Sequence, residues 1–372
     1  MRVIVSGGGT GGHIYPAVTI AKAISQLTAA EFLFVGTKQG LEADIIPKEG
    51  YEFVTIDVRG LERRFSFANF LTIAKAAGSV WHARAIINRF NPDIVIGTGG
   101  YVCGPVLLAA WLAGIPTIIQ EQNVIPGITN RLLARFVDKI ALGYEEASQY
   151  FNKPQKTIFT GNPIRGEVLT ADKSVGVRAL GLDSKKLTLL VSGGSRGARS
   201  INKAMIAVHT HFSASKDLQI LHVTGQSEYN NLVGNFKQNG IDVSTAGNSI
   251  IKPYLYNMPE ALAAADLTVF RAGAIGLAEL TARGIPVILI PYPYAAENHQ
   301  EFNARVLEQH GAAVVIRDSE LTGAVLIETI ERLINNRAAL AHMSAASQRL
   351  GHPHAAATIA QLAVEQAAQR RR

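Results

Sequence analysis

The sequence predicts an α/β protein built from two similar, doubly wound domains, and three observations carry the prediction. Short β-branched runs alternate with alanine-rich helical stretches from end to end, the rhythm of parallel sheets covered by helices on both faces. The opening VSGGGTGG (5–12) recurs half a chain later as VSGGSRGA (191–198), so a strand, a glycine turn and a helix start are used twice. A chain of 372 residues is too long for one ordinary domain and suits two.

In the first half the expected strands are RVIVS (2–6), EFLFVG (31–36), DIVIG (93–97), IPTIIQ (115–120) and DKIAL (138–142). In the second they are LTLLVS (187–192), LQILHV (218–223), DLTVF (266–270), IPVILI (285–290) and AAVVI (312–316). Asn162-Pro163 interrupts the pattern within TGNPIRGEV (160–168), which places the hinge there. The expected division is 1–163, 164–350, and a terminal helix with a basic tail over 351–372, with the working site in the cleft between the two domains.

Composition narrows the class. Hydrophobic residues make up 48% of the chain and charged residues 17%, which fits large cores and excludes a disordered protein. The single Cys103 rules out an internal disulfide and suits a reducing compartment. Met1-Arg2 leads straight into a strand, so no secretory signal is read. The longest apolar run, around 106–119, is broken by Gly114 and Pro116 and falls short of the ~20 residues that span a bilayer. The protein is therefore expected to be soluble or peripheral. A net charge of +7 favours an anionic partner: nucleic acid, anionic lipid or a phosphorylated substrate.

SGGGTGGHIYP (6–16) contains a formal G-x-G-x-x-G at Gly7, Gly9 and Gly12, the spacing of dinucleotide-binding turns. Such a turn needs an acid at the end of the second strand to hold a ribose, and that strand ends Phe34-Val35-Gly36-Thr37. A dehydrogenase is therefore a poor reading. Proline is favoured in the first turn of a helix, so the helix is expected to begin near Pro16. His13 then projects from a glycine-lined loop, where the positive helix end disfavours imidazolium and leaves a ring able to accept a proton. Alternatively it merely bonds to backbone.

Other loops reach the carboxyl ends of the strands, where parallel sheets bind ligands. GTGGYVCGP (97–105) brings Gly99, Gly100 and Tyr101 there, or is a tight turn needed only for packing. EQNVIPGITN (121–130) delivers Glu121, Asn123 and Asn130, polar groups suited to sugar hydroxyls or to capping the next helix. In the second half, RAGAIGLAEL (271–280) offers open backbone N–H groups to a pyrophosphate, including the one at Ile275, and Glu279 can chelate a ribose diol or stand as a plain surface acid. His299 and Gln300 follow the next strand and can bond a sugar.

Taken in order, GGGTGGH (7–13), GTGGY (97–101), EQN (121–123), GNPIR (161–165), GGSRGA (193–198), RAGA with Glu279, and the pair at 299–300 form a specific set. With these the sequence resembles the MurG family of UDP-N-acetylglucosamine transferases, over about residues 2 to 350. The resemblance implies a GT-B fold and a hexosyltransferase. Its reaction moves N-acetylglucosamine from UDP-GlcNAc to the C4 hydroxyl of the muramoyl sugar of lipid I, undecaprenyl-pyrophosphoryl-MurNAc-pentapeptide, giving lipid II with inversion. The first domain is then the acceptor- and membrane-associating one and the second the UDP-GlcNAc-binding one. His13 is implied as the base. Thr10, Gly11 and Gly12 would lie beside donor and acceptor, Asn123 would contact the donor sugar, and Gly99, Gly100, Tyr101 and Glu121 would face the acceptor. Asn130 would lie near the acceptor pyrophosphate. Arg165 and Ser195 would hold the nucleotide diphosphate, the Leu255 backbone would read uracil, and Glu279 would bind ribose. Gln300, with His299 beside it, would contact the donor sugar.

Two positions depart from the family pattern: Gln120 stands where many members have His, and Ile275-Gly276 where many have a Thr. No D-x-D occurs, so no protein-bound metal and no cofactor are expected, UDP-GlcNAc being a substrate. In RRFSFANFLTIAKAAGSVWHAR (63–84), Phe67, Phe70, Trp81 and Arg84 suit a patch on anionic inner-leaflet lipid, or a core-facing helix. The expected location is the cytoplasmic face of the plasma membrane, with cell-wall synthesis and division proteins as further partners and no nucleic acid. The rival readings are a UDP-GlcNAc 2-epimerase, a diacylglycerol glycosyltransferase and a non-catalytic nucleotide or nucleic-acid binder.

Overall fold

The structure is a computed structural model that describes residues 1–58, 68–194, 197–238 and 248–370, without the side chains of 68–77. It divides into two compact units, Met1–Ile164 with the C-terminal segment from His352, and Arg165–Gly351.

The first unit opens with β1 (Arg2–Ser6), α1 (Gly11–Leu27), β2 (Glu31–Gly36), α2 (Glu42–Lys48) and β3 (Glu52–Thr55). It continues with α3 (Ala68–Phe90), β4 (Ile94–Gly97), α4 (Cys103–Leu112), β5 (Thr117–Glu121), α5 (Ile128–Leu133), β6 (Lys139–Leu142) and β7 (Thr157–Phe159). Its seven strands are parallel, in the order β3-β2-β1-β4-β5-β6-β7. Val3, Ile4 and Val5 are each fully buried because helices cover both faces, which is why the strand reads as a continuous apolar run. One face packs on Ile14, Ile20 and Ile24 of α1, and the other on Ile87 of α3 and on Val106 and Leu107 of α4.

The second unit runs α6 (Gly166–Thr170), α7 (Lys173–Ala179), β8 (Leu187–Ser192), α8 (Arg199–His211), β9 (Leu218–Val223), α9 (Tyr229–Gln238) and β10 (Ser249–Lys252). Then come α10 (Met258–Ala264), β11 (Leu267–Phe270), α11 (Ala274–Ala282), β12 (Val287–Leu289), α12 (His299–Gln309), β13 (Ala313–Val315), α13 (Gly323–Ile334) and α14 (Arg337–Arg349). Its sheet, also parallel, has the order β10-β9-β8-β11-β12-β13. The last helix, α15 (Ala355–Arg370), returns to the first unit and packs Ile359, Ala360 and Ala363 into the core that holds α1.

In each unit the strand order reverses at one point, between β1 and β4 and between β8 and β11. There the chain leaving neighbouring strands turns to helices on opposite faces of the sheet, as α1 and α4 do in the first unit, the place at which such sheets bind ligands. Both glycine turns fall at these points.

Two expectations are corrected. Helix α1 begins at Gly11, five residues before Pro16, so His13 lies in its first turn and not in the loop. Pro16 is accommodated inside the helix because burial of Ile14, Pro16 and Ala17 outweighs the one helical hydrogen bond that a proline removes. The edge strands β3, β7 and β10 were absent from the expected set. They have four, three and four residues, and outer positions such as Glu52 and Phe159 are exposed, so their apolar signal is weak.

Candidate active site

In the first unit the turn after β1 and the turn after β4 lock together. Gly8 N–H donates to the Gly99 carbonyl at 3.2 Å. Gly100 has a φ of +87°, and a Cβ there would lie 2.6 Å from the Gly8 oxygen. A Cβ on Gly99, at φ +111°, would strike the His13 ring at 2.7 Å. These two positions therefore require glycine both for conformation and for space. Tyr101, next in line, is 61% exposed.

His13 is half-buried, with Nδ1 2.8 Å from the Gly8 carbonyl and a longer 3.4 Å approach to Thr10 Oγ1. A carbonyl only accepts, so the ring proton sits on Nδ1 and the lone pair of the neutral ring is on Nε2. The backbone bond and the proton-accepting role, set against each other from the sequence, are thus compatible. Thr98 Oγ1 donates to the His13 carbonyl at 2.8 Å and fixes the turn from below. Gly11 and Gly12, with Thr10 as N-cap, form the start of α1. Cys103 is fully buried; burial pushes its thiol up to about 11, and its Sγ donates to the Ser6 carbonyl, so it packs and does not react.

The β5–α5 loop is organised by Glu121, which is 1% exposed. Its oxygens accept from Asn123 N (2.9 Å), Asn123 Nδ2 (3.3 Å), Gly127 N (3.1 Å) and Asn130 Nδ2 (2.8 Å). Burial pushes its carboxyl up, and those donors counter part of the rise. Its acceptor capacity thus goes to shaping the loop that carries Asn123 and Asn130. Asn130, 3% exposed, has given Nδ2 to Glu121, and its Oδ1 has no partner. An orphan acceptor at that depth costs about 1–3 kcal/mol. As an acceptor it matches a hydroxyl or amide donor. Gln120 sits in a closed carboxamide chain: its Nε2 donates to Asn162 Oδ1 at 2.8 Å, and Asn162 Nδ2 donates to the Gln122 carbonyl at 2.9 Å. It has no proton to exchange there.

In the second unit, Arg165 precedes α6 and grips Glu279 of α11 in a fork, Nε to Oε1 at 2.8 Å and Nη2 to Oε2 at 3.1 Å. Glu279 is 7% exposed, so the carboxylate is shielded from water, while the Arg165 side chain stays partly exposed. Ile275 is half-buried in the first turn of α11, whose N-cap is Gly273. Gln300 accepts from Tyr292 N–H at 2.9 Å. His299 bonds the Ala296 carbonyl through Nδ1 at 2.7 Å, and burial lowers its pKa. Both follow Glu297 and Asn298, two non-glycine residues at φ +51° and +55°, a strained turn that sets how α12 begins. Leu255, 9% exposed, lies between β10 and α10. Ser195 lies outside the described residues.

The chain matches the glycosyltransferase family 28 N-terminal domain over residues 3–142 and the glycosyltransferase family 28 C-terminal domain over residues 188–359. It is 52% identical, over 96% of its own length and 97% of the relative's, to the UDP-N-acetylglucosamine--N-acetylmuramyl-(pentapeptide) pyrophosphoryl-undecaprenol N-acetylglucosamine transferase of Desulforamulus reducens. The chain belongs to the MurG family. Its fold superposes on the crystal structure of Acinetobacter baumannii MurG with a TM-score of 0.77 at 27% identity, covering 98% of this chain and 99% of that one. A putative UDP-N-acetylglucosamine 2-epimerase of Listeria monocytogenes shares the fold alone, with a TM-score of 0.70 at 14% identity over 99% and 97% of the two chains. The architecture is that of GT-B glycosyltransferases, and the MurG assignment is favoured over the epimerase and diacylglycerol alternatives.

Against this MurG frame, sequence reasoning missed the fully buried Glu42, whose carboxylate lies under the first glycine turn. It also missed a second apolar surface in the first unit: Trp111 and Leu112 of α4 and Ile128 and Leu132 of α5 are 43 to 59% exposed, beside Arg131 and Arg135. Of the expected membrane patch, Trp81 is 77% exposed and Arg84 is exposed, while Ala83 and Ile87 of the same helix face the core. Phe67 and the Phe70 side chain lie outside the described residues. Among the described residues no helix is long and apolar enough to cross a membrane, and no group of three His, Cys, Asp or Glu side chains is arranged to hold a metal.

Proposed function

We propose that this protein transfers N-acetylglucosamine from UDP-GlcNAc to the C4 hydroxyl of the muramoyl sugar of lipid I, releasing UDP and forming lipid II. The observation that carries the reading is the 52% identity, along nearly the whole chain, to a transferase of that name. The reaction is a single in-line displacement. The acceptor oxygen forms a bond to the anomeric carbon, the bond to the UDP oxygen breaks with its electron pair, and the hydroxyl proton passes to His13 Nε2. Attack from the face opposite UDP inverts the donor's α linkage to β.

The supports are local. The Gly8 carbonyl keeps the proton of His13 on Nδ1, so Nε2 is the nitrogen that accepts. Glu279 binds the ribose diol and Arg165 the diphosphate, so that donor binding exchanges their mutual fork for contacts with UDP. The open N–H groups at the start of α11, Ile275 included, add partial positive charge toward the leaving group. Ser195 and the Leu255 backbone complete the nucleotide site, and Asn123, His299 and Gln300 contact the donor sugar with Thr10, Gly11 and Gly12. Gly99, Gly100, Tyr101 and Asn130 face the acceptor, Asn130 through its Oδ1 to a hydroxyl or N–H, while Glu121 holds that loop in shape. UDP departs without a protein-bound metal.

The lipid acceptor places the protein peripherally on the cytoplasmic face of the plasma membrane. Trp81, Trp111 and Leu132, with Arg84, Arg131 and Arg135, supply apolar contact and cationic attraction to anionic lipid. The test is the acceptor dependence of UDP release, run in EDTA. UDP appears only when lipid I is supplied, and EDTA leaves the rate unchanged. UDP release without acceptor, together with epimerised sugar, would establish the epimerase instead. Abolition by EDTA with rescue by magnesium would overturn the metal-free mechanism.

A further inference from the structure

The transfer chemistry leaves one buried charge unused. Glu42, the first residue of α2, is completely buried, and glycines make the room for it: a Cβ on Gly8, Gly36 or Gly40 would come within 2.4, 2.6 or 2.1 Å of its side chain. Its Oε1 accepts from Thr37 N–H at 3.0 Å and from Thr37 Oγ1 at 2.7 Å, and its Oε2 from Gly9 N–H at 2.9 Å. Burial pushes the carboxyl up, but the Gly9 and Thr37 donors outweigh it and hold the group below the usual carboxylate range, so it is anionic at neutral pH.

The Gly9 N–H that meets Glu42 and the Gly8 carbonyl that meets His13 Nδ1 at 2.8 Å belong to the same peptide group. A peptide group is planar and its two ends are electronically coupled through resonance. A carboxylate, one amide and an imidazole are therefore linked in series: Glu42 accepts from Gly9, and Gly8 accepts from His13.

We propose that Glu42 is a positioning residue for the transfer, acting on His13 through the Gly8–Gly9 peptide. The carboxylate polarises the amide, which makes the Gly8 oxygen a stronger acceptor. That oxygen holds the ring proton on Nδ1, aims Nε2 and stabilises the imidazolium formed when the acceptor proton arrives. The arrangement does the work of a carboxylate bonded directly to a catalytic histidine, with a peptide group interposed. The buried negative charge, linked in series with the ring, raises the basicity of His13. The proposal rests on His13 being the base. A purely structural Glu42, tying the β1–α1 turn to the β2–α2 turn, would change stability without moving the titration of the ring.

The experiment measures kcat/KM with UDP-GlcNAc and lipid I against pH for the parent, Glu42→Gln, Glu42→Asp and His13→Ala. It is paired with long-range nitrogen-15 NMR of the His13 ring in the parent. The neutral parent ring carries its proton on Nδ1. In Glu42→Gln the acid limb of the profile moves down by about half a pH unit and the plateau falls about tenfold, and Glu42→Asp, which keeps the charge, restores the position of the limb. A neutral parent ring protonated on Nε2 overturns the proposal, and this arm needs no variant to fold. Loss of turnover in His13→Ala with an unmoved limb in Glu42→Gln overturns the proposal alone. Near-parent turnover in His13→Ala overturns the base assignment beneath it, and the proposal with it.

Discussion

The two units share a strand order and a glycine turn at the same topological place, yet they handle histidine in opposite ways. In the first, His13 is half-buried at the carboxyl edge of the sheet, with one nitrogen bonded to backbone. In the second, His209 and His222 are sealed in the core, 2% and 0% exposed, within a one-directional chain. Asn202 Nδ2 donates to the Thr224 carbonyl, so Asn202 Oδ1 accepts from His222 Nε2 at 3.1 Å. His222 Nδ1 then accepts from His209 Nε2 at 3.2 Å, and His209 Nδ1 accepts from Ser249 Oγ at 2.7 Å. Every ring is neutral, every site is filled, and no proton has anywhere to go. The ligand-ready groups of this unit are instead an acid and a base in a fork, Glu279 and Arg165. In the proposed function one topology thus serves proton transfer in one copy and anion and diol binding in the other, according to which side chain stands at the mouth of the turn and which is packed beneath it.

Glu279→Ala breaks the binding side of this comparison most severely. It removes the proposed ribose contact and leaves Arg165 without its partner, so KM for UDP-GlcNAc rises about 10- to 100-fold while kcat changes less. An unchanged KM would remove Glu279 from the donor site. The sealed histidines give a smaller effect, visible in stability. Burial lowers His209 from an ordinary 6.5 to about 3, and His222 is lowered well below 6.5 by burial and by His209. The unfolded chain therefore binds protons that the folded one refuses, and stability that is complete above about pH 6.5 is lost as the pH falls toward 3. The urea midpoint should fall across that window, and less steeply in a His209→Gln/His222→Gln variant, whose carboxamides can keep the chain without titrating. Equal slopes would show that the pair does not titrate as placed. The smallest effect concerns the lipid surface. Trp81→Ser with Leu132→Ser should weaken binding to anionic vesicles about three- to tenfold and leave the melting temperature unchanged, since both side chains are largely exposed. Unaltered vesicle binding would place the lipid contact elsewhere.

The parallel-sheet architecture was legible because its central strands are apolar on both faces, as RVIVS and LTLLVS are, and because one turn motif occurs twice. The edge strands were not, since three or four residues with an exposed side give no period to read. His13 was legible as a residue but misplaced in its element: proline-based reasoning put the helix start at Pro16, and the core packing of Ile14 put it at Gly11. Glu121 and Asn130 were recognised as polar groups at the sheet's carboxyl edge, but only the fold shows that the carboxylate turns inward and that the amide oxygen is buried without a partner. Glu42 carried no sequence signal, because the partner that ties it to the site is a backbone N–H, that of Gly9, in a turn 33 residues away. The one available hint was the pair of glycines shortly before it, at 36 and 40.

The most direct test of the division between the units uses His13→Ala, measured for donor binding and for single-turnover transfer of labelled N-acetylglucosamine to lipid I. The account predicts UDP-GlcNAc affinity within about twofold of the parent and transfer slowed by about 10²- to 10⁴-fold. Near-parent transfer, or a loss of affinity as large as the loss of rate, would contradict it.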